Sequence, residues 1–300
     1  MSSSSSPTHA SIGSRRRLLT GRSLSRRRAA KDPHEARVDS FRSAVWGYWK
    51  KSGRHELPWR KTKDPYRILV SEVMLQQTQV PRVIDKYKSF LKKFPTVRAL
   101  ARAPLVDVLS EWNGLGYNRR AKYLNDAAKM ITATYRGNLR AALAHPLPGI
   151  GPYTKSAVRV FAFNEPDALL ETNIRSAFIL HFHRGQSSVE DKEILPMVRE
   201  AARGQDPRRW HSALMDYGAH IKKLHQNPSR KSAHYVVQSK FEGSRRQVRG
   251  AILKTLSLGP RGDLALAQEL SFDARRVREA LSGLLKDGLV SAKKGSWKIA

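Results

Sequence analysis

The sequence predicts an all-α protein: a two-lobed domain of short helices followed by a small winged-helix-like domain. Two observations carry that reading. From about residue 35 to 225, apolar residues recur at helical spacing in one segment after another, and strand signals are absent. From 244, three further helical segments end in "LVSAKKGSWKIA", two short apolar runs around a Lys-Gly-Ser turn. The chain has 300 residues and is 40% hydrophobic, enough for two or three modest domains with a real core.

The elements follow in order. Residues 1–34, opening "MSSSSSPTHASIGSRRRLLTGRSLSRRR", are Ser/Arg-rich and without periodicity, so a disordered basic tail is expected. "KDPYRILVSEVMLQQ" starts a helix with Asp64 as cap and Pro65 at the first helical position. In "TQVPRVIDKYKSFLKKF" the residues Val80, Val83, Ile84, Tyr87, Phe90 and Leu91 share one helical face. "PTVRALARA" and "PLVDVLSEW" are two short helices, the second with Pro104 at its start. "NRRAKYLNDAAKMITATYRG" is longer and ends at Gly137. "LRAALAH", "PLPGIGPYTKSAVRVFAF", "TNIRSAFILHF" and "DPRRWHSALMDYGAHIKKLH" complete the domain at 35–225. Residues 226–243 read as a linker. "RRQVRGAILKTLSL", "DLALAQELS" and "DARRVREALSGLLKDG" then form the helices of a winged-helix-like domain at 244–300. Its third helix would be the recognition helix, with Arg275, Arg276 and Arg278 at its start; packing on the larger domain or on another protein is the alternative.

Charge narrows the function. Lys and Arg number 56 against 25 Asp and Glu, a formal net charge of +31. That excess suits a polyanionic partner, most simply nucleic acid, through phosphate neutralisation. No apolar run approaches a membrane span, and no amphipathic anchor suggests a membrane surface. There is no cysteine, which excludes disulfides, thiolate zinc sites and cysteine-ligated iron–sulfur clusters. No metal site and no cofactor are expected; His181, His183 and His220 read as structural. The tail reads as a DNA-tethering arm, a transit peptide or an overextended start. It lacks a secretory apolar core. The expectation is a cytoplasmic protein, at the nucleoid in a bacterium, with organellar or nuclear targeting by the tail left open.

Four stretches carry chemistry. In "SEVMLQQTQVPRV" Glu72 sits within an apolar helix that ends in Gln76 and Gln77. It is either a helix-surface charge or a semi-buried carboxylate with a function. "WNGLGYNRRAKYL" places Gly114 and Gly116 in a tight turn before Tyr117, Arg119, Arg120 and Lys122: an ordinary helix corner, or an aromatic wedge into a base stack. "LPGIGPYT" puts Gly149 and Gly151 between two helices, where bare backbone N–H groups can approach a phosphate. In "LLETNIRSAF", Glu171 at a helix entrance either favours the helix dipole or faces Glu72 across a cleft. Two carboxylates in different environments are the recurring device for cleaving glycosidic bonds.

In this order the four stretches, with "LPWR" at 57–60, resemble the helix-hairpin-helix DNA glycosylases over about residues 40–225. They are most similar to the MutY-type adenine glycosylases, for which the Gln-Gln pair and the GLGY turn are the most specific signs. The resemblance implies base excision from mismatched double-stranded DNA by a protein expected to be a monomer. An adenine opposite guanine or 8-oxoguanine would flip into a pocket between the lobes. Carried over by position, Glu72 would protonate the departing adenine. Tyr153 and Asn173 would orient Glu171 and contact the sugar, and Gln77 and Tyr117 would wedge into the duplex. Gln76, Arg119, Arg120, Gly149, Gly151, Lys155, Arg275 and Arg276 are the further expected DNA contacts. Tyr153 stands where strand-cutting relatives have lysine, so the resemblance implies a monofunctional enzyme.

Three departures stand out. The family pattern has Asp where this chain has Glu171. The four cluster-binding cysteines have no counterpart in "IKKLHQNPSRKSAHY", where Lys222, Lys223, Arg230 and Lys231 are expected to dock DNA instead. The winged-helix-like segment stands in place of a Nudix-like domain that reads 8-oxoguanine. Two other readings remain at this stage: a thymine or uracil glycosylase acting opposite guanine, and a non-catalytic DNA-binding protein on the same fold.

Overall fold

The computed structural model describes residues 32–237 and 240–300. Residues 1–31 of the expected tail lie outside the described residues. The tail's predicted end at 34 falls inside the first turn of helix α1 (Pro33–Ser52), where Asp32 accepts from the His34 N–H at 3.0 Å. A 3₁₀ turn at Pro58–Arg60 leads to α2 (Pro65–Leu75), α3 (Val80–Lys93), α4 (Val97–Arg102), α5 (Leu105–Trp112), α6 (Arg119–Tyr135) and α7 (Leu139–Ala142). α8 (Pro152–Phe163), α9 (Thr172–Phe182), α10 (Asp191–Ala202) and α11 (Pro207–Leu224) follow, then a 3₁₀ turn at Pro228–Lys231. The C-terminal segment holds α12 (Arg245–Leu256), β1 (Arg261–Gly262), α13 (Asp263–Leu270), α14 (Ala274–Lys286), β2 (Val290–Lys293) and β3 (Ser296–Ile299).

Local chemistry sets the boundaries. Asp64 caps α2 by accepting from the backbone N–H groups of Tyr66 and Arg67, with Pro65 at the position whose missing N–H leaves nothing unsatisfied. Asp206 and Asp273 cap α11 and α14 in the same way. α6 ends with Arg136 and Gly137 both left-handed, at φ 53° and 86°. The terminal hairpin turns through Lys294 and Gly295, both at positive φ, a two-residue turn whose twist matches its strands. Its strands β2 and β3 join β1 in a three-stranded antiparallel sheet of order β1-β3-β2, with β3 in the centre. The two-residue β1, which pairs Arg261 with Trp297, has no signature in the sequence.

Two apolar clusters make the lobes. The first gathers Ile68, Met74, Phe90, Trp112, Leu124 and Ile131 from α2–α6. The second gathers Phe41, Phe178, Val198, Trp210 and Leu214 from α1 and α9–α11. α8 joins them, giving Val158 and Ala162 to one and Ala157 and Val160 to the other. The first cluster continues without a break into Val248, Ile252, Val277 and Leu284 of α12 and α14. The C-terminal helices therefore share the first lobe's core.

Two features fix α11, which forms a wall between the lobes. Asp216, 2% exposed, is held by Arg54 Nε at 2.6 Å and by Arg60, whose Nη1 and Nη2 donate at 2.5 and 2.8 Å. Gly218 lies so close to α9 that a Cβ there would sit 1.9 Å from the Asn173 carbonyl oxygen.

Asp216→Asn is expected to destabilise the protein by about 3–5 kcal/mol, because it leaves two arginines around a neutral group. Burial alone would raise the Asp216 carboxyl; the hydrogen bonds and charge of Arg60, with those of Arg54, outweigh it and hold the group below its usual value. A depressed carboxylate stabilises the fold above its unfolded pKa, about 3.9, and loses that contribution as pH falls through the folded value. Urea unfolding at pH 7 and pH 3 should thus show a shallower pH dependence in the variant, and equal stabilities at pH 7 would refute the clamp. Gly218→Ala should cost at least about 1–3 kcal/mol and displace Asn173, read as a lowered Tm.

Candidate catalytic cleft

A cavity of about 520 Å³ opens between the lobes, with Glu72, Tyr153, Glu171 and Asn173 in its lining. α2 brings Glu72, the first turn of α8 brings Tyr153, and the start of α9 brings Glu171 and Asn173. Trp59 and Arg60 of the "LPWR" turn and Ser212 and Met215 of α11 form further walls. The four residues predicted to do chemistry thus meet in one place, although 101 positions separate Glu72 from Asn173.

The two carboxylates sit in unlike surroundings. Burial, reinforced by the charge of Glu171, pushes the Glu72 carboxyl up to about 8. Burial also raises Glu171, but here hydrogen bonds and the charges of Lys222 and Arg175 work against it. Glu171 is the N-cap of α9: one oxygen accepts from the Ile174 N–H at 3.0 Å and the other from Asn173 Nδ2 at 3.1 Å. The longer glutamate arm therefore folds back onto its own helix start. Lys222 Nζ donates to Asn173 Oδ1 at 3.4 Å, and Arg175 is held nearby by a two-bond fork on Asp191. Glu72 is thus the group that keeps a proton near neutrality, while Glu171 is the one whose upward shift is opposed by donors and nearby cations. The Tyr153 phenol is raised by burial and by both carboxylates, so it stays protonated as a hydrogen-bond donor.

Beside the cavity stand two loops in strained conformation. Gln77, after α2, and Tyr117, before α6, both adopt left-handed backbone angles, φ 53° and 48°. Such angles in residues other than glycine persist where the surroundings impose them, often at functional sites. The Arg120 guanidinium supplies the constraint. It donates to the carbonyls of Val73 (2.9 Å), Met74 (3.1 Å) and Gln76 at the end of α2, and to Thr78 Oγ1 (3.0 Å). It also donates to the carbonyls of Leu115 (3.2 Å) and Gly116 (3.1 Å) in the GLGY turn.

Several expected DNA contacts have partners within the protein. The Arg120 guanidinium is occupied by these bonds within the protein. Gln76 turns inward, donating to Thr154 Oγ1 of α8 at 3.2 Å, while its neighbour Gln77 is exposed. Lys155 Nζ donates to the His145 carbonyl at 2.6 Å across the hairpin. Arg119 bonds the Tyr123 hydroxyl at 2.5 Å and pairs with Asp287 at 3.4 Å. Arg275 pairs with Glu279 along α14, and Arg276 donates to the Gly243 carbonyl at 2.7 Å. Gly149, at φ 67°, lets the hairpin close against Tyr123, whose Cβ would lie 2.5 Å from any Cβ there. Gly151 opens α8 with free space above it.

The segment after α11 offers no fit for an iron–sulfur cluster. It has no thiolate, and among the described residues no three metal-ligating side chains converge. Asn227 Oδ1 instead accepts from the Ser229 hydroxyl at 2.7 Å and the Ser229 N–H at 3.3 Å. Val189 and Ser232 form a bridge, with Val189 N–H donating to the Lys231 carbonyl at 2.8 Å. Of the cations expected to dock DNA there, Lys222 faces Asn173 and Lys231 donates to the Arg184 carbonyl. Asp216, Gly218 and Lys222 hold α11 and Asn173 beside the cleft and were not singled out from sequence for these contacts; their partners lie far along the chain, where no local signal reaches.

The likenesses to known proteins agree with this geometry. An adenine DNA glycosylase of Mycolicibacterium smegmatis is 33% identical over 267 residues, covering 81% of this chain and 90% of that protein. An adenine DNA glycosylase of Buchnera aphidicola subsp. Baizongia pistaciae is 34% identical over 187 residues, 60% of this chain; the chain spans about half of that relative, 52% of its length. A solved thermostable thymine-DNA glycosylase superposes with a TM-score of 0.57 at 25% identity, covering 67% of this chain and 94% of that one. Residues 70–211, which contain Glu72, Tyr117, Tyr153 and Glu171, match the family described as HhH-GPD superfamily base excision DNA repair protein, and the chain belongs to that superfamily.

Proposed function

We propose that this protein is a monofunctional DNA glycosylase that removes adenine mispaired with guanine or 8-oxoguanine. The carrying observation is the pair of carboxylates on one cavity, Glu72 pushed up to about 8 and Glu171 engaged by two donors and two nearby cations. The target base enters the cavity beside Glu72. As the N-glycosidic bond breaks, its electron pair leaves with the base, and Glu72 delivers the proton that makes the base a stable leaving group. Positive charge develops on the sugar and is met by the Glu171 carboxylate. Water adds to the sugar carbon, and its surplus proton is accepted by a carboxylate. Tyr153 and Asn173 hold Glu171 in place. The protein acts on double-stranded DNA as a monomer and without a cofactor. A thymine or uracil substrate opposite guanine is the second reading, favoured by the likeness to a thymine-DNA glycosylase.

Single-turnover base release from A·G, A·8-oxoG, T·G and U·G duplexes tests the assignment. Adenine release is expected; release of thymine or uracil with adenine untouched selects the second reading, and no release from any duplex sinks both.

Glu72→Gln should lower base release by at least about 100-fold while DNA affinity holds, since the amide has no acidic proton to give. The parent's rate should fall as pH rises through about 8, where Glu72 loses its proton, and should fall again in acid as Glu171 gains one. A rate flat from pH 6 to 9 would remove Glu72 from the acid's role.

Glu171→Gln should inactivate the protein to a similar degree. Glu171→Asp keeps both the charge and a good helix cap and should stay within about tenfold of the parent. Full activity in Glu171→Gln would reduce the residue to a cap.

Borohydride should not trap a protein–DNA adduct, because Lys155 is tied to the His145 carbonyl and does not line the cavity. Efficient trapping that disappears in Lys155→Ala or Lys222→Ala would contradict monofunctional chemistry.

A further inference from the structure

Tyr117 is held from two directions. Arg120 stacks over its ring at 5.5 Å from within the same lobe. The second cation comes from the C-terminal segment: the Arg246 guanidinium lies 5.3 Å from the ring centroid and its Nη1 donates to the Tyr117 hydroxyl at 2.9 Å. Arg246 belongs to the first turn of α12, which packs into the same apolar cluster as α5 and α6. The docking is pinned again at Asp287, which pairs with Arg119 of α6 at 3.4 Å and Arg249 of α12 at 2.5 Å. Between these elements lies a second cavity of about 510 Å³, lined by Gln77, Tyr117, Gly149, Arg246 and Asp287. Both left-handed residues thus face a space with one wall supplied by the C-terminal helices.

We propose that Arg246 is a positioning residue for Tyr117, so that the C-terminal helices belong to the machinery that extrudes the target base and are more than an added DNA anchor. The inference rests on the proposed reading of Tyr117 as the wedge. An aromatic wedge unstacks a base only if it resists being pushed aside. A phenol held by one cation–π contact and one charge-assisted hydrogen bond from a second element resists better than a ring on a glycine turn alone. Arg246 acts through Tyr117, so removing it should weaken extrusion much more than affinity.

The test uses the full chain and a duplex with 2-aminopurine at the target position, whose fluorescence rises on unstacking. Anisotropy gives affinity, and an A·G duplex gives base release. Arg246→Met keeps the aliphatic stem and removes the charge and donors. Tyr117→Phe keeps the ring and removes the accepting hydroxyl. Arg246→Met should reduce extrusion about tenfold while affinity changes less than about threefold, and Tyr117→Phe should show the same split to a smaller degree. The double change Arg246→Met with Tyr117→Ala should lose no more than Tyr117→Ala alone. Multiplying losses would make Arg246 an independent phosphate contact and overturn the proposal, as would unchanged extrusion in Arg246→Met or a parent that leaves 2-aminopurine stacked. If Arg246→Met lowers Tm, Tyr117→Phe decides, because it leaves the C-terminal helices intact. A parent that unstacks the base without releasing adenine sinks the proposed activity and leaves this inference standing; a parent that releases adenine while the losses multiply sinks the inference alone.

Discussion

One partly buried cation, the Arg120 guanidinium, ties together the two loops that carry Gln77 and Tyr117. Its hydrogen bonds run to the helix-end carbonyls of α2 and to the carbonyls of the GLGY turn, two segments that nothing else in the local sequence would join. A helix end leaves carbonyls without partners, and the turn leaves more; a planar group with five N–H donors satisfies both at once. Left-handed angles at Gln77 and Tyr117 each carry a strain of about 1–3 kcal/mol. Charge-assisted hydrogen bonds, about 1.5–3 kcal/mol each, are strong enough to offset it. Burial lowers Arg120 to about 10, still charged at neutral pH, so the tie persists wherever the protein works. Because Gln76 lies one turn beyond Glu72 at the end of α2, the tie that fixes these loops also anchors the helix that carries Glu72.

Both carboxylates are partly buried in one cleft, and two like charges there cannot both be favoured. The fold resolves the conflict by giving them different neighbours. Glu72 lies on an apolar helix and has Glu171 as its closest charged influence, so the neutral form prevails. Glu171 stands at the positive end of α9, between Lys222 and Arg175, with a backbone and an amide donor on its oxygens. The methylene that separates it from the aspartate of the family pattern is accommodated by its capping bond to Ile174. Gly218 completes the arrangement by bringing α11, and with it Lys222, against the Asn173 backbone.

The readable parts of the sequence were those whose cause is local. Asp64–Pro65 announces a helix start, Gly149-Ile150-Gly151 a hairpin, and Glu72 a carboxylate in an apolar stripe, because cap, turn and periodicity each act within a few residues. What escaped depends on distant partners. Arg120 looks like one cation among several after a glycine turn; only the fold brings it to the end of α2. Asp216 reads as an ordinary helix residue until Arg54 and Arg60 arrive from more than 150 positions away. Gln76 and Gln77 are indistinguishable as letters, yet the left-handed turn after α2 sends one inward to Thr154 and the other to solvent. β1 is two residues long and exists only because β3 offers it an edge.

The segment after α11 is held by hydrogen bonds among its own residues. Where the family pattern has cysteines, this chain buries Pro228, Ser229 and Ser232 and closes a small knot through Asn227, with a bridge from Ser232 to Val189 before α10. Each hydrogen bond contributes only about 0.5–1.5 kcal/mol, far less than a metal-ligand set, so the knot cannot order the segment alone. It relies on α9, against which the 3₁₀ turn packs and whose Ser176 lies 3.5 Å from Asn227 Oδ1. α9 is the helix that Glu171 caps and Gly218 approaches. The loop, the helix and the carboxylate are therefore mechanically one unit, and a change in the knot would reach the cleft through the start of α9.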